Sequence, residues 1–381
     1  MPTNQNWKHH RSVLVPAFSP SNLRFGMDAS LEAVHDLCTA LSARCDKAKG
    51  GVVELDIYPV WAAYTLDVIG KVGFSYEFKT AQSLATGEMS KDVDLLNEIF
   101  TTIAKRAFIP SFLWHITGNS ERSPKNAEAI AYIRGIVTEV IQKKRSAREE
   151  GGGQVDVEGR KDLLDQLMGK DFSDEEIFQE VLGFFLAGHE TTSNTLMFIL
   201  LELCRNPHVY AKLMEEITSI LPTSETLLTW DLLPSFKYLD QVIKESQRIH
   251  AVVGGLGRTT AKDITVLGHH IPRGTFLNIS IRQIQWDERY WPSPRTFDPE
   301  RFAEGAPQPV AGSYLPFGDG GHNCIGSRLA LIETKVGLVE VLRRFEVGLV
   351  EGREVKYKSG VTTTVVGGVW VRVKRRGVEK E

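Results

Sequence analysis

The stretch VLGFFLAGHETTSNTLMFILLEL, residues 181–203, constrains the fold more than any other segment. It is apolar and long enough to cross a bilayer. Its middle, however, holds His189, Glu190, Thr191, Thr192 and Asn194. An acidic residue at a bilayer centre costs roughly 3 kcal/mol on insertion scales. The segment therefore reads as a buried helix through the core of a folded protein. Ser173 and Glu176 set an S-x-x-E capping box just ahead of it.

Helical patterns dominate residues 1–250. Pro124 opens a helix through IAYIRGIVTEVIQKKR, the Gly-rich 148–161 reads as a surface loop, and helical periodicity resumes at DLLDQLM. Asn206-Pro207 starts another helix, with proline at its first position, and a further helix covers roughly 235–250. DITVLGHHIPRGTFLNISI reads as two strands around a Gly/Pro turn, and the C-terminal VKYKSGVTTTVVGGVWVRVKR as more short strands. A proline-rich meander, WDERYWPSPRTFDPERF, lies between them. The expected class is mainly α with a minor β-sheet region, in a single domain over 1–381.

Hydrophobic residues make up 42% of the chain and charged residues 24%, which suits a globular core. With 45 bases against 48 acids there is no overall basic footprint for nucleic acid. Cys38, Cys45, Cys204 and Cys324 form no CxxC pair, which argues against a disulfide scaffold or a cysteine-rich zinc site. The start, MPTNQNWKHHRSVLVP, is neither a secretory signal nor a membrane anchor. As given, the chain reads as soluble and cytoplasmic.

The most informative loop is FGDGGHNCIG, residues 317–326. Gly321 and Gly326 have P-loop spacing, but Ser327 stands where the lysine belongs. Asn323 replaces the last glycine of a GxGxxG begun at Gly318. Neither nucleotide motif survives. Residues 329, 332, 336, 339 and 342 are apolar at helical spacing, so Cys324 sits just before a helix N-terminus. The helix dipole and its free N–H groups favour a thiolate there. Glycines let the backbone approach a large flat ligand, and His322 offers a donor to an anionic group on it. A buried cysteine beside a turn is the alternative reading.

Phe317, Gly320, His322, Cys324 and Gly326 fit F-x-x-G-x-[RH]-x-C-x-G, and here the chain resembles the cytochromes P-450. Four other segments agree in the family's order. AGHETT, residues 187–192, resembles the oxygen-activation motif: Ala187 and Gly188 leave room over the metal, and Glu190 and Thr191 can relay protons. ESQR, residues 245–248, resembles the family's buried E-x-x-R pair, Glu245 with Arg248. Arg301 joins it from FDPERF, residues 297–302. Trp7 and Arg11 match W-x-x-x-R, and Arg258 follows in GLGRTT; these resemble the family's donors to the haem propionates. The zinc-protease motif H-E-x-x-H, which begins at His189, ends at Ser193.

The resemblance implies haem b with Cys324 as the iron's proximal ligand. It implies a monooxygenase that inserts one atom of O2 into a hydrophobic organic substrate. Electrons would come from an NADPH-dependent flavoprotein reductase, with Lys8, His9, His10, Arg343 and Arg344 as candidates for a docking face. The alternatives are a haem-thiolate isomerase or dehydratase, and a non-catalytic remnant. Candidate pocket residues are Phe184, Phe185, Ala187, Val252, Val253 and Thr362. The family carries further helices, two strands, a pocket roof and, in microsomal members, a membrane anchor ahead of the W-x-x-x-R helix. Their absence predicts an N-terminally truncated P-450 fold with an open sheet edge. The full-length type is expected on the cytoplasmic side of the endoplasmic reticulum membrane.

Overall fold

A computed structural model describes residues 5–85, 90–106, 109, 113–114, 124–149, 161–170 and 172–377. The chain opens with helices α1 (Gln5–Leu14) and α2 (Pro20–Lys47), strand β1 (Val52–Asp56), then α3 (Ile57–Phe74) and the short α4 (Thr80–Ser83). α5 (Lys91–Arg106), α6 (Pro124–Glu149) and α7 (Leu163–Met168) follow; residues 150–160 of the expected loop lie outside the described residues. The apolar stretch lies within α8 (Asp174–Arg205), and α9 (Pro207–Ile220) and α10 (Lys237–Ile249) complete this part. The capping box forms as the sequence predicts: the Ser173 hydroxyl accepts from the Glu176 N–H, and the Glu176 carboxylate accepts from the Ser173 N–H. Pro124 and Pro207 each stand at the first helical position.

Among the described residues, no helix is long and apolar enough to cross a membrane. α8 instead joins two apolar cores. Its C-terminal half, Leu196 to Leu203, packs with α2, α10 and the C-terminal elements. Its N-terminal half, Ile177 to Leu186, packs with α3, α5, α6 and α7. The polar residues 187–195 fall between these cores. There α3 passes close: a Cβ placed on Gly188 would lie 2.8 Å from Ile69 Cγ1.

The expected strand pair at 263–281 is in fact three strands. β2 (Leu256–Thr259) is followed by β3 (Ile264–Val266), β4 (His269–Ile271) and β5 (Phe276–Ile279). Leu267 and Gly268 both have positive φ, 49° and 82°, and close a tight hairpin between β3 and β4. β5 then pairs with β2, and among the described residues β2 pairs on that side alone. Helix α11 (Ile281–Gln285) leads into the meander, and α12 (Ser327–Arg344) follows the cysteine loop. The C-terminal strands are β6 (Phe345–Leu349), β7 (Lys356–Ser359), β8 (Thr363–Val366) and β9 (Trp370–Arg375). β9 lies between β1 and β6, antiparallel to both; β7 and β8 form a separate hairpin.

α10 organises the meander. Glu245 and Arg248 are 0% exposed. Arg248 Nε and Nη2 donate to the two Glu245 oxygens, each at 2.7 Å. Its remaining donors reach the carbonyls of Gln285 (3.0 Å), Pro294 (2.8 Å) and Thr296 (3.3 Å). Arg301 Nε adds a bond to Glu245 Oε1 at 3.3 Å, and the Asp298 N–H another at 3.0 Å. Desolvation pushes the Glu245 carboxyl above its usual value, against the pull of Arg248 and Arg301.

Two substitutions test this packing by urea unfolding. Glu245→Ala leaves the Arg248 charge buried without its carboxylate and lowers stability by about 3–5 kcal/mol. Gly188→Ala lowers it by about 1 kcal/mol, since overpacking outweighs the better helix propensity of alanine. In an Ile69→Ala background the clash is gone, so the same substitution raises stability.

Candidate functional site

The cysteine loop is held from both ends. On the upstream side, Leu315 N–H donates to Gln285 Oε1 at 2.9 Å, and Gln285 Nε2 donates to the carbonyls of Gln247 and Arg248, each at 3.0 Å. Tyr314 OH donates to Gln247 Oε1 at 3.0 Å, and Trp291 Nε1 to the Ser313 carbonyl at 3.2 Å. The E-x-x-R helix thus fixes the residues just before the loop. Gly318 and Gly320, both at φ 70°, turn the chain, and the Cys324 N–H closes it by donating to the Phe317 carbonyl at 2.9 Å. Gly326 is the N-cap of α12, so Cys324 stands two residues ahead of the cap.

Cys38 and Cys45 are buried and Cys204 is half-buried; Cys324 is the exposed cysteine. The sequence reading favours a thiolate at Cys324 on the ground of the helix terminus that follows it. Desolvation of the sulfur pushes the thiol above its usual value, although the Gly326 N–H and the Arg11 charge pull it down.

The W-x-x-x-R helix lies against this loop. Trp7 stacks on His322, with ring centroids 3.8 Å apart. Arg11 donates to the Asn323 carbonyl at 3.0 Å and to Asn323 Oδ1 at 2.6 Å. Arg258, on β2, donates Nη1 to the Gly257 carbonyl at 2.9 Å. The His322 imidazole is lowered by desolvation and then by the charges of Arg258 and Arg11, which places these cations around it. Among the described residues, no carboxylate forms an ion pair with Arg11 or Arg258. The structure therefore gathers Trp7, Arg11, Arg258 and His322, from three distant segments, into one donor set whose charge lies on the two arginines.

On α8 the six letters of AGHETT point in different directions. Ala187 is exposed, as is Gly183 one turn earlier, and Thr191 is half-buried one turn later. This i, i+4, i+8 stripe is the open face of a helix that is otherwise mostly buried. The Thr191 hydroxyl donates back to the Ala187 carbonyl at 2.6 Å. Gly188 serves first the approach of α3. His189 is buried, its Nδ1 3.3 Å from Thr65 Oγ1, and desolvation lowers its imidazole to about 4, so it is neutral. Glu190 is 7% exposed. Desolvation raises its carboxyl to about 7, against a Thr362 hydrogen bond and the Lys358 charge.

Two groups of expected residues lie elsewhere. Phe185 does not face open space; it is 1% exposed and packs on Phe74 and Phe78. Together with Ile136 and Val137 of α6 and Leu164 of α7 it forms a tight apolar contact with no room for a water molecule. Thr362 is buried against Glu190. Phe184, by contrast, is half-buried, 6.2 Å from Phe18. Of the candidate docking cations, Lys8 is exposed, and the other four are engaged with the fold. His10 Nδ1 lies 2.7 Å from Glu180 Oε1, and His9 stacks on Phe172. Arg343 donates to the carbonyls of Ser224 and Thr226, and Arg344 to that of Glu340. Sequence reasoning missed Gln247, Gln285 and Tyr314, whose partners are backbone or amide groups distant in the chain.

The donor set fits a haem. No three His, Cys, Asp or Glu side chains converge to hold a metal ion among the described residues. A lone exposed cysteine can complete the coordination of a metal that arrives in its own macrocycle. Arg11 and Arg258, which form no ion pair among the described residues, suit the two carboxylates such a group carries.

Residues 1–366 match the family model "Cytochrome P450". The chain is 28% identical to cytochrome P450 6a2 of Drosophila melanogaster, over 97% of this chain and 76% of that protein. It is 30% identical to cytochrome P450 3A2 of Rattus norvegicus, over 90% of this chain and 68% of that one. Among solved structures, the haem domain of cytochrome P450DA superimposes with a TM-score of 0.83 at 26% identity, covering 98% of this chain and 78% of that domain. With the five motifs in order and the cysteine loop, cationic cluster and open helix face formed, the chain belongs to the cytochrome P450 family, whose cofactor is haem b.

Proposed function

We propose that this chain is a monooxygenase domain that inserts one atom of O2 into a hydrophobic organic substrate. Its electrons come from an NADPH-dependent flavoprotein reductase at the cytoplasmic face of the endoplasmic reticulum. The observation that carries this is the single exposed cysteine, set ahead of α12 by a loop tied to the buried Glu245–Arg248 pair. Haem b, once bound, supplies the reductive activation of O2.

The chain's own residues do the rest. Cys324 is the iron ligand, and the Gly326 N–H and Arg11 favour its anionic form. Arg11, Arg258, His322 and Trp7 hold the propionates. Ala187 and Gly183 leave the central helix open on one stripe, where O2 and substrate meet. Glu190, with its carboxyl near 7, carries a proton over part of its time at neutral pH. Thr191 offers a hydroxyl on the open stripe as the next carrier. Phe184, Val252 and Val253 supply apolar surface, which suits a hydrophobic substrate.

Carbon monoxide added to the reduced haem protein tests the ligand. The parent is expected to show a Soret band with the red shift of a thiolate, at one haem per chain. Cys324→Ser is expected to lose the shift. An unshifted parent band, or a shift that survives in Cys324→Ser, overturns the assignment.

A further inference from the structure

The β7–β8 hairpin enters the protein at its turn. β7 is exposed along its length, yet Thr362 and Thr363 are each 4% exposed. The turn is fixed from behind. Thr363 N–H donates to the Val252 carbonyl at 2.7 Å, and Thr363 Oγ1 to the Ala251 carbonyl at 3.0 Å. Arg282 donates Nη1 to Ser359 Oγ at 2.9 Å and Nη2 to Thr363 Oγ1. The outer end of the hairpin is anchored as well. Arg205 Nη1, on α8, donates to Tyr357 OH at 3.0 Å. The Tyr357 ring lies beside His250, which stacks on Phe198 with centroids 4.5 Å apart.

The hairpin therefore grips α8 at two points, Arg205 and Glu190. At the second, Thr362 Oγ1 donates to Glu190 Oε1 at 2.5 Å. None of the five sequence motifs includes Thr362. While Oε1 accepts from Thr362, Oε2 is the oxygen left to carry the acid's proton.

We propose that Thr362 is a positioning residue for Glu190: its hydroxyl fixes the acid's rotamer and leaves one carboxyl oxygen, Oε2, to hold and release the proton. This rests on the monooxygenase reading in one respect, that Glu190 donates protons. Two titratable groups from packed elements face Glu190. Lys358, on β7, lowers its proton affinity. Tyr58, on α3, donates to Asn97 Oδ1 at 3.1 Å, and its phenol is pushed up by desolvation and then by the Glu190 charge. On α8 itself, neighbouring His189 is neutral and turned to Thr65.

Thr362→Val removes the donor at nearly constant volume, and Thr362→Ser retains it. The first readout is the infrared carbonyl band of the protonated carboxyl, assigned by its loss in Glu190→Gln. In the parent it is expected to titrate near 7. A hydrogen bond to the carboxylate favours the charged form, so Thr362→Val is expected to move the midpoint up by about one pH unit. Thr362→Ser is expected to stay with the parent. The second readout is product formed per NADPH consumed by the haem-loaded protein with its reductase. It is expected to fall several-fold in Thr362→Val, at unchanged haem content, and to recover in Thr362→Ser. An unshifted titration in Thr362→Val overturns the proposal, as does a loss shared equally by the valine and serine variants. If Glu190→Gln leaves the product yield intact, the proton-donor role of Glu190 fails; the infrared arm still decides whether Thr362 positions the acid.

Discussion

The Glu245–Arg248 pair is the interaction on which the site depends. Both side chains are fully buried, where desolvation of two charges costs more than a surface pair returns. Arg248 meets that cost by using all its N–H donors, on Glu245 and on three backbone carbonyls. Those carbonyls, from Gln285, Pro294 and Thr296, belong to a stretch with little regular structure of its own. The pair therefore does what a sheet ladder does elsewhere: it satisfies buried backbone groups and fixes the path of the chain. Through Gln285 Oε1 and the Leu315 N–H, that path sets where the loop before Cys324 begins. A cysteine in a glycine-rich loop is placed by a helix about eighty residues earlier.

The central helix solves a different problem. It must pack on α3, contact the β7–β8 hairpin and still leave room on one side. Successive helical residues turn by about 100°, so adjacent letters of AGHETT face different neighbours. Gly188 and His189 face α3, Glu190 faces Thr362, and Ala187 with Thr191 lies on the open stripe. The polar letters are affordable because protein groups meet them, and the stretch occupies the join between two apolar cores. A helix that looked long enough for a membrane is thus kept in a folded interior by its middle.

What was legible in the sequence was mostly local. The Ser173–Glu176 box, proline at the first positions of α6 and α9, and the helix after Cys324 all rest on contacts a few residues apart. E-x-x-R was legible as an i, i+3 pair, and its burial followed from the family resemblance. Other features depend on partners far along the chain. Nothing near Thr362 announces that its hydroxyl meets Glu190, and nothing near Gln285 announces Leu315. Phe185 looked like pocket surface because an apolar residue on an amphipathic helix has the same signature whether it meets a ligand or another helix; here Phe74 and Phe78 claim it. The splitting of the 263–281 strands was missed because Leu267 adopts positive φ, which branched and bulky residues seldom do.

The electrostatics of the two sides of the site are opposite in kind. Around the cysteine loop, Arg11 and Arg258 collect positive charge, and among the described residues no carboxylate pairs with either of them. Such an arrangement is costly in isolation and becomes favourable when an anionic group enters. At α8 the reverse holds: one carboxyl, Glu190, is buried with a hydroxyl as its bonded partner and Lys358 acting only through its field. Desolvation raises both Cys324 and Glu190. For the thiol, the Gly326 N–H and the Arg11 charge oppose that rise. For the acid, the rise is useful as it stands, because a group near neutral pH can both hold and release a proton. The same physical term, burial of an ionisable group, is therefore opposed at the cysteine by a helix N–H and a cation, and at the acid by a hydroxyl and the field of Lys358.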